Sequence, residues 1–163
     1  MPDRERLRPI EETDWPAIIT LEAETYGDKG LAEGGDALRS RAHPPTSFVL
    51  DTGGRIGGYL LALPYPRGAF PDLRQPEDRA FDTPDLHLHD IAIAPGLRDH
   101  GRGRRLVRHL VTLAGLRAYE RISLVSVGNA AGFWTACGFR PDPRSVPPGS
   151  YGPGAVYMSR DIG

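Results

Sequence analysis

The chain has 163 residues, 39% of them hydrophobic and 25% charged, with a formal net charge of −1. That length suits a single domain, 1–163, large enough to bury a core, and the near-neutral balance gives no overall pull toward nucleic acid or an anionic membrane surface. A lone cysteine, Cys137, excludes an intrachain disulfide and argues against a cysteine-built metal site.

No apolar run approaches the ~20 residues of a membrane span. The opening stretch, MPDRERLRPIEETDW, is charged and lacks the apolar centre of a signal peptide, so a cytoplasmic location is expected. Residues 6–10, RLRPI, read as a short first strand. Thr13 is placed to cap a helix with Pro16 in its first turn, and Ile18, Ile19, Leu21 and Glu22 carry that helix toward Tyr26. GDKGLAEGG breaks it, and a second short helix is expected over about 33–41, closed by Pro44 and Pro45. SFVLDTGGRIGGYLLALPY is a hairpin with a Thr-Gly-Gly turn. Residues 66–84 are rich in proline and charge, have little periodicity, and read as a long loop.

LHLHDIAIA (86–94) is a strand ended by Pro95 and Gly96. From Gly103 the apolar residues fall at 106, 107, 110, 111, 113 and 114, a helical spacing. RISLVSV (121–127) is another strand, NAAGFWTACGF (129–139) a short helix with Asn129 as its cap and Gly138 at its end, and AVYMSRDI (155–162) a final strand. The strand–helix–strand unit over 86–127 implies a parallel pair joined by a right-handed crossover, and the hairpin implies antiparallel neighbours. The expected class is α+β: a mixed, mostly antiparallel sheet with helices packed on it.

Arg98, Arg102, Arg104, Arg105 and Arg108 crowd the junction between the 86–94 strand and the helix after it. The first N–H groups of a helix lack partners and, with the helix dipole, favour an anion. Gly101 and Gly103 would let a phosphate approach. Neither a dinucleotide fingerprint nor a nucleotide-triphosphate loop is present. The local pattern fits an anion site and a tight turn before a solvated arginine face equally well.

RDHGRG, following IAIAPGL, resembles the acyl-CoA signature of the GNAT acetyltransferase superfamily, and GFWTACGF resembles that family's C-terminal motif. The order of elements is similar along nearly the whole chain. The resemblance implies a GNAT-like fold, with the central parallel pair splayed and about four flanking helices, and acetyl-CoA as cosubstrate. It assigns the pyrophosphate to the backbone from Asp99 through His100, Gly101, Arg102 and Gly103 to Arg104, with Arg98 beside it. The pantetheine arm would pair with the backbone of Ile91, Ala92 and Ile93 like an added strand, near Asn129, Phe133 and Trp134.

His87 and His89 are two apart, so in an unbroken strand they share a face with Ile91 and Ile93, while Asp90 falls among Leu86 and Leu88. A β-bulge near Asp90 would re-aim it. An amine with a pKa near ~10 is protonated at neutral pH and has no lone pair for a thioester until a base takes its proton. A histidine base, a hydrogen-bonded structural pair and a metal site are the readings of the residues alone; no third ligand at convincing spacing supports a metal. HLHDIAIAPGLRDHGRG is similar to the arylalkylamine (serotonin) N-acetyltransferase branch, which implies that His87 and His89 relay the proton of the amine.

The resemblance implies a small-molecule amine acceptor, with no nucleic-acid or membrane partner; dimerisation is common in the family and no sequence feature decides it. Where many members carry tyrosine to protonate the leaving thiolate, this chain has Trp134, which is not a useful proton donor; Tyr119, Tyr151 and Tyr157 are the candidate substitutes. Cys137 reads as a small buried hydrophobe, since direct attack by the amine needs no enzyme nucleophile. The acceptor site is expected from the Tyr26–Leu38 region, the 66–84 loop and the Gly149–Gly154 loop, with Phe70, Phe81, Tyr65 and Tyr151 as an aromatic wall. Glu22, Glu24 and Asp28 either attract a cationic amine or lie on a solvated helix face. Two alternatives stand beside N-acetyl transfer: a catalytically weak acyl-CoA-binding regulatory module, and acyl transfer to a carrier-protein thiol.

Overall fold

The computed structural model describes residues 5–162, so the first four residues of the charged N-terminal stretch lie outside the described part. Seven strands are formed by Glu5–Pro9 (β1), Phe48–Thr52 (β2), Ile56–Pro64 (β3), Asp85–Ile93 (β4), Arg121–Ser126 (β5), Arg140–Pro141 (β6) and Val156–Asp161 (β7). They make one sheet in the order β1-β2-β3-β4-β5-β7-β6. Only β4 and β5 run parallel; the other neighbours are antiparallel. Four helices flank it: Trp15–Tyr26 (α1), Gly35–Arg41 (α2), Arg102–Leu116 (α3) and Ala131–Ala136 (α4). This is the α+β GNAT-like arrangement expected. The two-residue β6 is too short to leave a periodic signal, and β7 rather than a loop holds it in place.

Each face of the sheet buries its own apolar layer. On one, Leu60, Leu86, Leu88, Ile122 and Leu124 pack beneath Leu106 and Leu110 of α3 and Trp134 of α4. On the other, Val49, Tyr59, Leu61 and Ala92 meet Trp15, Ile18 and Leu21 of α1 and Leu38 of α2. Helix α3 buries Leu106, Val107, Leu110 and Ala114 in one stripe, so it stays on the sheet while its arginine face turns outward.

Two helix starts differ from expectation. Thr13 lies inside a 3-10 turn, Glu12–Asp14, and α1 is anchored instead by Asp14. Its carboxylate accepts the Glu11 N–H at 2.7 Å and two Arg8 hydrogen bonds at 2.8 and 2.9 Å, a charged arrangement stronger than a hydroxyl cap. Asn129 does not cap α4; Ala130 occupies that position with no side-chain hydrogen bond. Gly138 does end α4, at φ 92°, where the Phe139 N–H returns to the Trp134 carbonyl.

The strand that positions the site is β4. On β3, Leu61 faces Asp90 and Ala62 faces Leu88, so His89 is an extra residue and forms a bulge. The alternation changes phase there. Leu86 and Leu88 belong to the α3 side, and Ile91 and Ile93 pack on that same side, whereas Ala92 belongs to the α1 side. The expected alignment of the histidines with Ile91 and Ile93 is therefore wrong, and Asp90 leaves the leucines. Beyond the bulge β4 and β5 also part: their pairing covers only Asp85–His87 with Arg121–Ser123.

Candidate active site

Where β4 and β5 separate, a cavity of about 250 Å³ opens. His89, Asp90 and Ile91 of β4 form one wall, and Leu124 and Val125 of β5 the opposite one. Helix α1 contributes Glu22 and Tyr26, and α4 contributes Phe133 and Trp134; Glu33, Asn129 and Tyr151 complete the lining. Of the residues singled out from the sequence, the cavity brings together His89, Asp90, Ile91, Asn129, Phe133 and Trp134, with Glu22, Tyr26 and Tyr151 of the expected acceptor side.

His87 is not on its wall. It is 1% exposed and lies behind His89, ring centroids 6.2 Å apart, with its Nδ1 3.1 Å from the Ser123 hydroxyl and its ring stacked toward Tyr157. Burial, reinforced by repulsion from His89 and Arg41, pushes its pKa well below the ordinary histidine value, so the ring is neutral.

His89 Nε2 sits 2.5 Å from Glu33 Oε2. An ionised carboxylate only accepts, so Nε2 carries the proton and, in the neutral ring, Nδ1 keeps a lone pair. That Nδ1 is buried and has no hydrogen-bond partner. Glu33 is in turn held by Arg41, whose guanidinium lies 2.6 Å away, is fully buried, and also meets Glu77 and the carbonyls of Asp72 and Gln75. Burial works to raise the Glu33 pKa, but His89 and then Arg41 outweigh it and hold the carboxyl below its ordinary value.

Asp90 is 6% exposed. The Tyr59 hydroxyl donates to its Oδ2 at 2.9 Å, and its other oxygen has no partner. Burial pushes its pKa up to about 7; Glu22 and Glu33 push the same way, and His89 and Tyr59 oppose them. Glu22, which the sequence left between an amine-attracting position and a solvated face, is 1% exposed and accepts the Glu33 N–H at 2.6 Å; burial raises its pKa. Glu24 and Asp28 are exposed, as a solvated face requires. Among the described residues, the group of side chains close enough to share a cation is Glu22, Glu33 and Asp90, without the histidine pair.

The glycine turn adjoins this cavity. Asp99 and Gly101 take positive φ, 66° and 82°, and the first hydrogen bond of α3 runs from the Arg105 N–H to the Gly101 carbonyl. No side chain caps the helix, so its first-turn N–H groups face outward. A Cβ on Gly103 would stand 3.3 Å from Cζ of Phe133, which ties the turn to the cavity wall. The arginines are less available than their crowding suggested. Arg102 and Arg105 pair with Glu5 at 2.9 and 3.0 Å, and Arg98 donates to the Ile93 carbonyl. Arg104 and Arg108 line a separate hollow together with Cys137 and Arg160.

Ala94 directs its N–H to Gly57 of β3, so by alternation Ile91 and Ile93 present their backbone to the cleft. There the Tyr26 hydroxyl donates to the Ile91 carbonyl at 2.6 Å. An uncapped helix end beside an opened strand edge fits a cofactor with a pyrophosphate and an extended amide arm.

The sequence profile of the Acetyltransferase (GNAT) family matches residues 5–139. The chain belongs to the GNAT acetyltransferase family. Among solved structures with the GNAT fold, N-acetylglutamate synthase from Neisseria gonorrhoeae, complexed with coenzyme A and N-acetyl-glutamate, superposes on the whole chain with a TM-score of 0.74 at 17% identity. This chain spans 36% of that protein's length. Ard1 from Thermoplasma volcanium gives a TM-score of 0.68 at 18% identity over 97% of both chains. The ribosomal-protein-S18-alanine N-acetyltransferase from Escherichia coli gives 0.62 at 20% identity, over 97% of this chain and 94% of its own. No curated protein sequence is significantly similar to this one.

Some residues at the cavity were given no individual role from the sequence. Glu33, Tyr59 and Arg41 reach it through contacts between distant segments. Tyr26 and Glu33 fell inside the region expected to hold the acceptor, and Asp90 stood out as a carboxylate in an apolar run. Of the tyrosines offered as substitute acids, Tyr151 lines the cavity but donates to the Pro71 carbonyl at 2.6 Å, while Tyr157 accepts the Gly68 N–H. Trp134, 6% exposed and edge-on to Phe133 and Phe139, serves as packing. No helix among the described residues is long and apolar enough to cross a membrane.

Proposed function

We propose that the protein transfers the acetyl group of acetyl-CoA to a small primary amine by direct attack, with the histidines of β4 as the base. The observation that carries this is the His89 side chain: it lines the cleft, its Nε2 is held by Glu33, and its Nδ1 is buried with no hydrogen-bond partner, left to take a proton whenever the ring is neutral. The ammonium gives one proton to Nδ1, and the freed nitrogen attacks the thioester carbon. The C–S bond breaks as the amide forms, and the second proton leaving nitrogen ends on the CoA thiolate. A thiolate with an ordinary thiol pKa near ~8.5 leaves without a strong acid, which is consistent with Trp134. His87, neutral behind His89, is the second member of the relay. The outward amides from Asp99 to Arg104 would bind the pyrophosphate, and the cleft-facing backbone of Ile91 and Ile93 the pantetheine arm.

The competing reading, a regulatory acyl-CoA-binding module, draws on Trp134 alone; a base kept free for a proton tells against it. Calorimetry with acetyl-CoA and a CoA-release assay over a panel of amines separate the two. In H89Q, kcat should fall by about 10²–10⁴, with acetyl-CoA affinity within about twofold of the parent. Unchanged turnover would remove His89 from the mechanism, and acetyl-CoA binding with no amine acetylated would favour the module.

A further inference from the structure

We propose that Glu22, Glu33 and Asp90 form a cradle that takes the acceptor as its ammonium. The class it selects is primary amines whose nitrogen-bearing carbon carries no carboxylate. This rests on the acetyl-transfer reading of the same cleft and names the substrate class it left open.

One acceptor oxygen from each of the three lies within 4.8 Å of the others. Three acceptors around a tetrahedral nitrogen at about 2.8 Å stand about 4.6 Å apart, so an ammonium with its three donors fits. Independently of the carboxylate cluster, His89 Nδ1 is unpartnered although its side chain is 2% exposed, and it borders the same cavity. A divalent ion is a poorer occupant. It needs oxygens at about 2.0–2.6 Å and would displace the bonds they make, whereas an ammonium needs from Glu33 only one remaining lone pair, which Oε2 keeps beside its single bond to His89 while Oε1 is filled by Arg41.

The charge around the cradle is one-sided. Glu22, Glu33, Asp90 and Glu77 stand against one buried guanidinium, that of Arg41, and the His89 ring, which Glu33 already holds; Lys29 is exposed on the cavity lining, its ammonium 5.9 Å from the Tyr26 ring centroid. An α-amino acid would bring its own carboxylate, two bonds from the nitrogen, against three buried carboxylates. A simple amine brings only the matching charge.

Phenethylamine, phenylalanine and phenylalaninamide, assayed by CoA release, test this. Phenethylamine should exceed phenylalanine in kcat/KM by at least about tenfold, and phenylalaninamide, as bulky but without the negative charge, should recover most of the difference. Glu22→Gln, which keeps an acceptor for the Glu33 N–H, should raise KM for phenethylamine and shrink the amine-to-acid ratio about fivefold. Phenylalanine within threefold of phenethylamine, a ratio unmoved by E22Q, or phenylalaninamide as poor as phenylalanine would each overturn the cradle. Should none of the three be acetylated, calorimetry of phenethylamine with CoA-saturated protein decides. Binding that E22Q weakens leaves the cradle standing while the transferase reading falls; no binding removes the cradle itself.

Discussion

Glu33 decides which nitrogen of His89 is free, and burial decides how its neighbours hold protons. Asp90 and His87 are shifted by burial in opposite directions, so their effects on stability have opposite signs. The Asp90 carboxyl is raised to about 7, so between the ordinary carboxylate range and that value the folded state binds more protons than the unfolded one. Its contribution to stability is full at low pH and is lost as pH rises through that window. His87 is lowered, so the unfolded chain binds more protons below the ordinary histidine value, and stability is lost as pH falls below it. Asp90→Asn keeps an acceptor for the Tyr59 hydroxyl and removes only the first effect. Its melting temperature relative to the parent should rise from pH 5 to pH 8, by no more than a few kcal/mol of stability. A parallel pair of curves would show that Asp90 ionises freely in the folded state.

At the scale of elements, the turn before α3 makes the sharpest demand on residue type. Gly101 sits at φ 82°, which a β-branched residue resists and asparagine tolerates. Gly101→Val and Gly103→Val should weaken acetyl-CoA binding before they slow turnover, the second by driving Phe133 from its place. Gly101→Asn should bind nearly as the parent does. Equal affinities by calorimetry for all three would move the pyrophosphate elsewhere. This turn was legible in the sequence because glycine spacing and helix onset are local. The hairpin, the α3 stripe and the parallel unit were legible for the same reason. The facing of β4 was not: an alternation rule assumes one residue per step, and the extra residue at His89 reverses everything after it. Asp90 in a run of leucines and isoleucines was the visible sign that the phase had to break.

Across the whole molecule, Arg41 joins three segments that no sequence window contains. From the end of α2 it reaches Glu33, Glu77 and the backbone of the 66–84 loop. The loop read as lacking periodicity is thus pinned beside the cavity, with Leu73 on its wall. Replacing Arg41 with methionine strands two buried carboxylates and should cost about 3–5 kcal/mol in urea unfolding. It should also raise the acceptor KM more than the acetyl-CoA Kd. A loss below about 1 kcal/mol would mean that the carboxylates find other partners or take up protons. Such pairings were invisible beforehand because charge complementarity between remote segments leaves no period to count.

The short seam between β4 and β5 has a mechanical consequence. Four strands on one side and three on the other are stitched at only three residue pairs. Past that seam a strand edge lies inside the sheet rather than at its border, the kind of edge that recruits any extended chain offered to it. A ligand lying along it completes the weave, so its binding adds RT ln(1 + [L]/Kd) to the resistance of both halves against opening. Cellular acetyl-CoA would then set how often the halves breathe, and amide exchange at Val125 and Ser126, at the far end of β5, would act as a gauge of its concentration.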